Sequence, residues 1–474
     1  MKRSMLILLA LFTVFSLFGI QNRYSETFLY TRPCYERLNA YEAFWQNMTY
    51  YQDCFPHSNM QAIFFYQNSV NKRNDQFRQY FLMRDKDELV VRGDDITLID
   101  RDIRAEWLQL PANYNGTFTM LPHQEQFGAL LVARKDLKNT FHWDFLDNLW
   151  VGVQVPIAFV KNKINFSETS TQTPTILSKL SSQDLIYDRI VQCTNTLGFT
   201  EIEFLFGARF QPANSLQLAT RTGLIAPLGN KYDGKIFYEA IRGYNRHLAW
   251  ETTINSQVTL NCSEVCNLYL YMDFQSILLF PNHQRRTFDL VDRPYSRYLL
   301  MVTDTGQNNI PGVNLLSPEV KVKPFNLIDV CAGFRVKKGC LEVQLGFDLW
   351  AHGNEELELR HPWQANFGIS SQTSDTTPEG FPATASDSTI KTLASPDKDC
   401  QGNFAFVPIL AEDLDFRSAV SRGTYTTGIE LAIGWAHDSP RTSGFIGIGG
   451  FVDFPANNAA LELWGVWFKL GASI

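Results

Sequence analysis

Apolar and polar residues alternate with period two over long stretches of this chain. In residues 201–210, Ile202, Phe204, Phe206, Ala208 and Phe210 share one face, and Glu203, Leu205, Gly207 and Arg209 share the other. After a Gln-Pro-Ala-Asn turn, Leu216, Leu218, Thr220, Thr222 and Leu224 oppose Gln217, Ala219, Arg221 and Gly223. Comparable runs occupy 247–260, 268–280, 320–336, 341–350, 424–435, 444–454 and 459–474. This period describes β-strands with one apolar and one polar face. The runs exceed the about 5–6 residues usual in soluble strands and match the roughly 9–11 that a tilted strand needs to cross a bilayer. A soluble sandwich with one buried face is the competing architecture.

The connections set the topology. From Trp150 onward their lengths run long, short, long, short, long, short, long, short, short. With the short turns near Gln211, Cys262, Lys337 and His437 in the periplasm, every long connection lies outside, as in an outer-membrane barrel. The expected fold is therefore all-β: a transmembrane up-and-down antiparallel barrel of about 14 strands, with about 12 as the alternative. Its first strand is placed at 61–66, and weaker candidates lie at 77–84, 89–98, 104–110 and 126–134. A helix is expected over 176–191, and the polar stretch 352–421 reads as an external loop.

Lys2 and Arg3 precede an apolar run over 5–20, the arrangement of a signal peptide. The expected organisation is a signal peptide at 1–20, a periplasmic or plug segment at 21–60, and a barrel over 61–474. Removal of the two basic residues takes the formal charge from −7 to −7 − 2 = −9. That acidic balance gives no footprint for nucleic acid. Aromatic residues make up 14% of the chain, which suits the girdles flanking a lipid-facing band. The implied partners are membrane lipid, a small-molecule permeant and the barrel assembly machinery, in the outer membrane of a Gram-negative-type envelope.

A charge on a lipid face is costly near the membrane midplane, so ionisable strand residues must point inward. Arg209, Arg221, Glu251, Asp273, Lys323, Arg335, Glu342, Asp348 and Glu430 are the expected lumen-lining residues, with Lys321 and Asp329 beside them. They can form a self-neutralising network or a selectivity filter. On this expectation the polar faces meet water, so an added charge at Gly207, Gln344 or Gly428 leaves folding largely intact. Enzymatic activity would need a nucleophile and a base close together. His247 is the one histidine clearly on a polar strand face, and no Ser-centred motif accompanies it; the chain reads as a channel. An adhesin or structural protein acting through its long loops is the alternative. Cys262 and Cys266 flank a short turn and are expected to face one another as a disulfide. Cys331 and Cys340 fall at different heights, beyond the about 7 Å Cα separation that a bridge allows. No metal site and no cofactor is implied. The glycine cluster from Gly444 to Gly450 lies within a strand, where glycine marks a bend or a close approach.

Two stretches carry a resemblance. Trp464, Val466, Phe468, Leu470, Ala472 and Ile474 alternate to the last residue, similar to the end of a bacterial outer-membrane protein, with Ile474 where an aromatic is usual. Residues 198–210 and 222–230 resemble outer-membrane channels of the long-chain fatty-acid and aromatic-compound transporter type. The resemblance implies a barrel for small, often hydrophobic compounds. The plug motif of that group is not recognisable in 21–60.

Overall fold

Twelve long antiparallel strands close on themselves in this computed structural model. The structure describes residues 30–45, 49–50, 58–70, 79–82, 86–93, 95–96, 101–137, 149–170, 172–262, 266–291, 293–303, 307, 309–369, 408–437 and 443–473. The expected signal peptide and residues 370–407 of the largest loop lie outside these. The barrel strands are β1 (Ser58–Ser69), β2 (Asn115–Asp136), β3 (Leu149–Glu168), β4 (Glu201–Ala213), β5 (Leu216–Pro227) and β6 (Ala249–Cys262). They continue as β7 (Asn267–Leu279), β8 (Asn326–Lys338), β9 (Leu341–His352), β10 (Thr424–His437), β11 (Ser443–Pro455) and β12 (Leu463–Ser473). Each pairs with its sequence neighbours, and β1 closes the sheet by pairing with β12 as well as β2.

The count is thus twelve, the alternative, and not fourteen. Two barrel strands precede residue 149, because β2 runs unbroken for 22 residues and absorbs the candidate at 126–134. The candidates at 89–98 and 104–110 shrink to Leu89–Arg92 and Ile103–Arg104, a short extension on the upper part of β2. The expected strand over 320–336 is two elements. Pro324, which has no N–H for a ladder, separates Glu319–Lys323 from β8, and the first piece joins a small sheet outside the barrel. The helix expected over 176–191 is one turn, Ile176–Leu180.

Outward positions form an apolar belt. Phe204, Leu345 and Leu431, near the middles of three strands, are 57%, 40% and 58% exposed. Exposed apolar patches of monomeric soluble proteins rarely exceed a few hundred Å². A belt that circles a closed barrel is the surface lipid would cover. Trp250, Trp435 and Trp464 also point outward. Among the described residues no helix is long and apolar enough to cross a membrane.

The long connections all emerge at one end of the barrel and fold together there. Phe288, Leu299, Met301, Val313 and Leu316 share a core with Tyr80, Leu89, Ile176 and Val320. Two buried arginines hold this cap. Arg297 donates to Asp289 at 2.5 Å and to Asp188 at 3.2 Å. Arg286 pairs with Glu355 at 3.2 Å. Burial pushes the Asp188 carboxyl up to about 6, against the pull of the Arg297 guanidinium.

Candidate functional site

The barrel interior is occupied by the chain's own residues 30–45, nearly all buried. They enter beside the cap, where the Tyr30 ring packs against Phe325, Trp350 and His352. They descend toward the short-turn end, where Trp45 meets Phe445. This plug contains one helical turn, α1 (Leu38–Glu42), all of it buried. An isolated helix of that length is unstable in water, so the wall must supply what holds it.

Polar contacts from around the wall do so. Arg32 reaches Asp329 on β8 and Asp348 on β9, each at 2.5 Å. Arg37 pairs with Asp453 on β11 at 2.7 Å. Glu42 receives Arg221 of β5 at 2.9 Å, and Arg221 also holds Glu251 of β6 at 2.8 Å. Asn39 accepts from the Tyr271 hydroxyl at 2.7 Å and from Gln344 at 3.0 Å. The Lys469 ammonium, on β12, donates to the carbonyls of Ala40, Tyr41 and Ala43. Apolar contacts add to these. Phe44 fits over Gly434 and Gly447, where any Cβ would collide with its ring. Gly447, within the glycine cluster of β11, is therefore part of the plug's seat, whereas Gly449 of the same cluster makes room for the Trp467 ring.

Of the nine residues expected to line the lumen, eight lie on the inner wall. Arg209 pairs with Asp136 at 2.6 Å. Arg221 and Glu251 join Glu42 as described. Asp273 accepts from Asn255 at 3.0 Å. Arg335 meets Glu342 at 3.3 Å and Gln257 at 2.5 Å. Asp348 binds Arg32, and Glu430 accepts from the Trp467 indole at 2.9 Å. Lys323 is the exception: it lies in the small sheet outside the barrel and pairs with Glu358. Lys321 lies in the same sheet. Their alternation with Val320 and Val322 is real, but those valines are buried in the cap core and do not face lipid.

The wall charges form a neutralising network, and part of it is completed by the plug. Arg32, Arg37 and Glu42 stood in an aperiodic stretch, and nothing in its pattern marks them. Asp453 and Lys469 were legible, since each sits between outward apolar residues of its strand. The positions expected to meet open water are packed. A side chain at Gly428 would strike the carboxylates of Asp348 and Asp453, and one at Gly207 would strike Trp150. Two polar cavities between plug and wall, one lined by Glu36, Gln154 and Glu203 and one by Thr31, Gln124 and Glu239, have volumes of ≈ 20 Å³ each. That is room for about one water apiece.

His247 lies just before β6, with Nδ1 2.8 Å from the Phe280 carbonyl and Nε2 3.0 Å from Gln284 Nε2. Its ring joins two loops, and those two contacts account for both of its nitrogens. Cys262 pairs in register with Asn267, so Cys266 falls in the turn instead of opposite it. No disulfide joins the two in this structure. Cys331 points inward to Asp273.

No family model matches the chain, and no curated protein is similar to it in sequence. Among solved structures it is similar to an outer membrane channel from Pseudomonas putida F1, with 9% identity and a TM-score of 0.35, over 89% of this chain and 97% of that one. It is similar to a mutant of the monoaromatic hydrocarbon channel TodX at 8% identity and a TM-score of 0.35, over 96% and 98%. A FadL homologue from Pseudomonas aeruginosa is similar at 9% and 0.28, over 88% and 90%. Likeness this distant says nothing of substrate or mechanism.

Proposed function

We propose that this protein is an outer-membrane channel for small molecules, working by passive diffusion through a charged lumen that residues 30–45 close. The observation that carries this reading is the chemistry of the plug's seat. Arg32, Arg37 and Glu42 meet the wall through ion pairs, and their wall partners would be hydrated if the plug withdrew. A buried ion pair gains little over its separately hydrated partners, so such contacts suit a closure that can be undone. Delivery by a signal peptide at 1–20 and the barrel assembly machinery belongs to the same proposal.

The test is conductance of the full chain in planar bilayers. Wild-type protein should open rarely, and Arg32→Ala/Arg37→Ala should open often. A heat-modifiable, folded double variant that passes no current would refute the channel. A second reading, a surface protein acting through its loops, is favoured by the cap's own apolar core. That reading expects no current from either protein.

A further inference from the structure

One row of the wall is acidic without a wall cation to balance it. Asp348 and Asp453 flank Gly428 at one level across β9, β10 and β11. Asp329, on β8, pairs in register with Trp350, two residues nearer the cap than Asp348. All three carboxylates are more than nine-tenths buried. Among the described residues, their ion-pair partners are Arg32 and Arg37, both from the plug. Two of their oxygens, Asp329 Oδ1 and Asp348 Oδ1, have no hydrogen-bond partner among the described residues. The row thus has acceptor capacity that Arg32 does not use.

The shape selects a planar cation. Arg32 Nη2 reaches Asp329 while Nη1 reaches Asp348, so one flat fork spans two strands. A spherical ammonium matches such a fork less well than a guanidinium does. The Trp350 ring lies 6.0 Å from the Arg32 guanidinium carbon and offers an aromatic face beside it. Gly428 keeps the floor between Asp348 and Asp453 clear, since a Cβ there would strike both.

We propose that Asp329, Asp348 and Asp453 form a subsite for the guanidinium group of a permeating solute, which Arg32 occupies as an internal stand-in when the lumen is closed. This rests on the channel reading and gives it a substrate class. Solute and plug then compete for the same carboxylates, so the solute itself favours opening.

The experiment uses the full-length Arg32→Ala variant in nanodiscs, titrated with methylguanidinium chloride while Trp350 reports by fluorescence. Saturable binding at millimolar concentration is expected, at least about tenfold weaker with methylammonium. Asp348→Asn in the same background should weaken methylguanidinium binding about tenfold or more, as loss of a charge-assisted bond requires. No saturable binding, an equal response to sodium chloride, or indifference to Asp348→Asn would overturn the subsite. If Arg32→Ala does not fold, wild-type protein in bilayers decides: methylguanidinium should raise its open probability, and no rise overturns the proposal. Binding without current sinks the channel and leaves the site, whereas current without binding does the reverse.

Discussion

Replacing Lys469 by Met should free the plug while leaving the barrel standing. The ammonium is fully buried and donates to the carbonyls of Ala40, Tyr41 and Ala43 at 3.1, 2.5 and 2.5 Å. These are the orphan acceptors at and just beyond the end of α1, which a helix cannot satisfy internally. A hydrogen bond from a charged donor contributes about 1.5–3 kcal/mol, so three give roughly 5–9 kcal/mol. Against this stands the several kcal/mol that burying the ammonium costs, which Met does not incur. The difference is about 2–4 kcal/mol, and it falls on the plug, because Met keeps nearly the same length on β12. Hydrogen exchange by mass spectrometry in nanodiscs should show amides of 38–45 losing about 30- to 1,000-fold of their protection. The strand amides should keep theirs, and conductance should rise. Unchanged protection in 38–45, or loss of protection through the whole barrel, would refute the reasoning.

Arg at Phe204, Leu345 or Leu431 should cost about 2–4 kcal/mol of folding in lipid vesicles. Gln344→Arg and Gly428→Arg should instead leave the barrel folded and expel the plug, read as higher conductance; equal folding damage in both sets would argue against a lipid-facing belt. Burial holds the His247 imidazole at about 4, with Arg286 pushing the same way and the Phe280 carbonyl pulling back. Its folded value lies below the unfolded about 6.5. The stability it gives the cap is therefore complete above pH about 6.5 and is lost as pH falls toward about 4, by about 3 kcal/mol at most. Limited proteolysis of the loops should rise across that window in wild-type protein and rise less in His247→Gln. Arg297→Met strands Asp289 and Asp188 in the cap and should cost about 3–5 kcal/mol there. Loop cleavage by protease should follow, with the barrel's heat-modifiable migration on gels unchanged.

The ten strands after residue 149 were legible because their two faces meet opposite surroundings. In β9, Leu341, Val343 and Leu345 face outward, whereas Glu342 and Gln344 face polar partners. Alternation fades near the middles of β1 and β2, where apolar residues sit on both faces. There Ile63, Phe65, Leu130 and Val132 point inward, and they share a core with the aromatic plug residues Tyr35, Tyr41 and Trp45. The apolar residues of the plug thus blur the pattern where the wall packs against them, whereas its charged residues meet polar wall positions and leave the alternation intact. The cap was hidden for another reason. Its strands of two to five residues are too short to show a period, and its core is assembled from six separate connections. The parity of charged positions found the wall, but the guanidiniums that complete it come from residues with no periodic context.

Lys469 holds carbonyls 426 to 429 positions away along the chain. Contacts of such separation are the slowest to form, because nearly the whole chain must be ordered before they are rewarded. The seat for Arg32 and Arg37 of the plug also needs β8, β9 and β11 in place, for Asp329, Asp348 and Asp453. The plug can therefore dock fully only after the last strand has been added. During assembly residues 30–45 wait unseated, and the lumen stays open until the wall around it is complete.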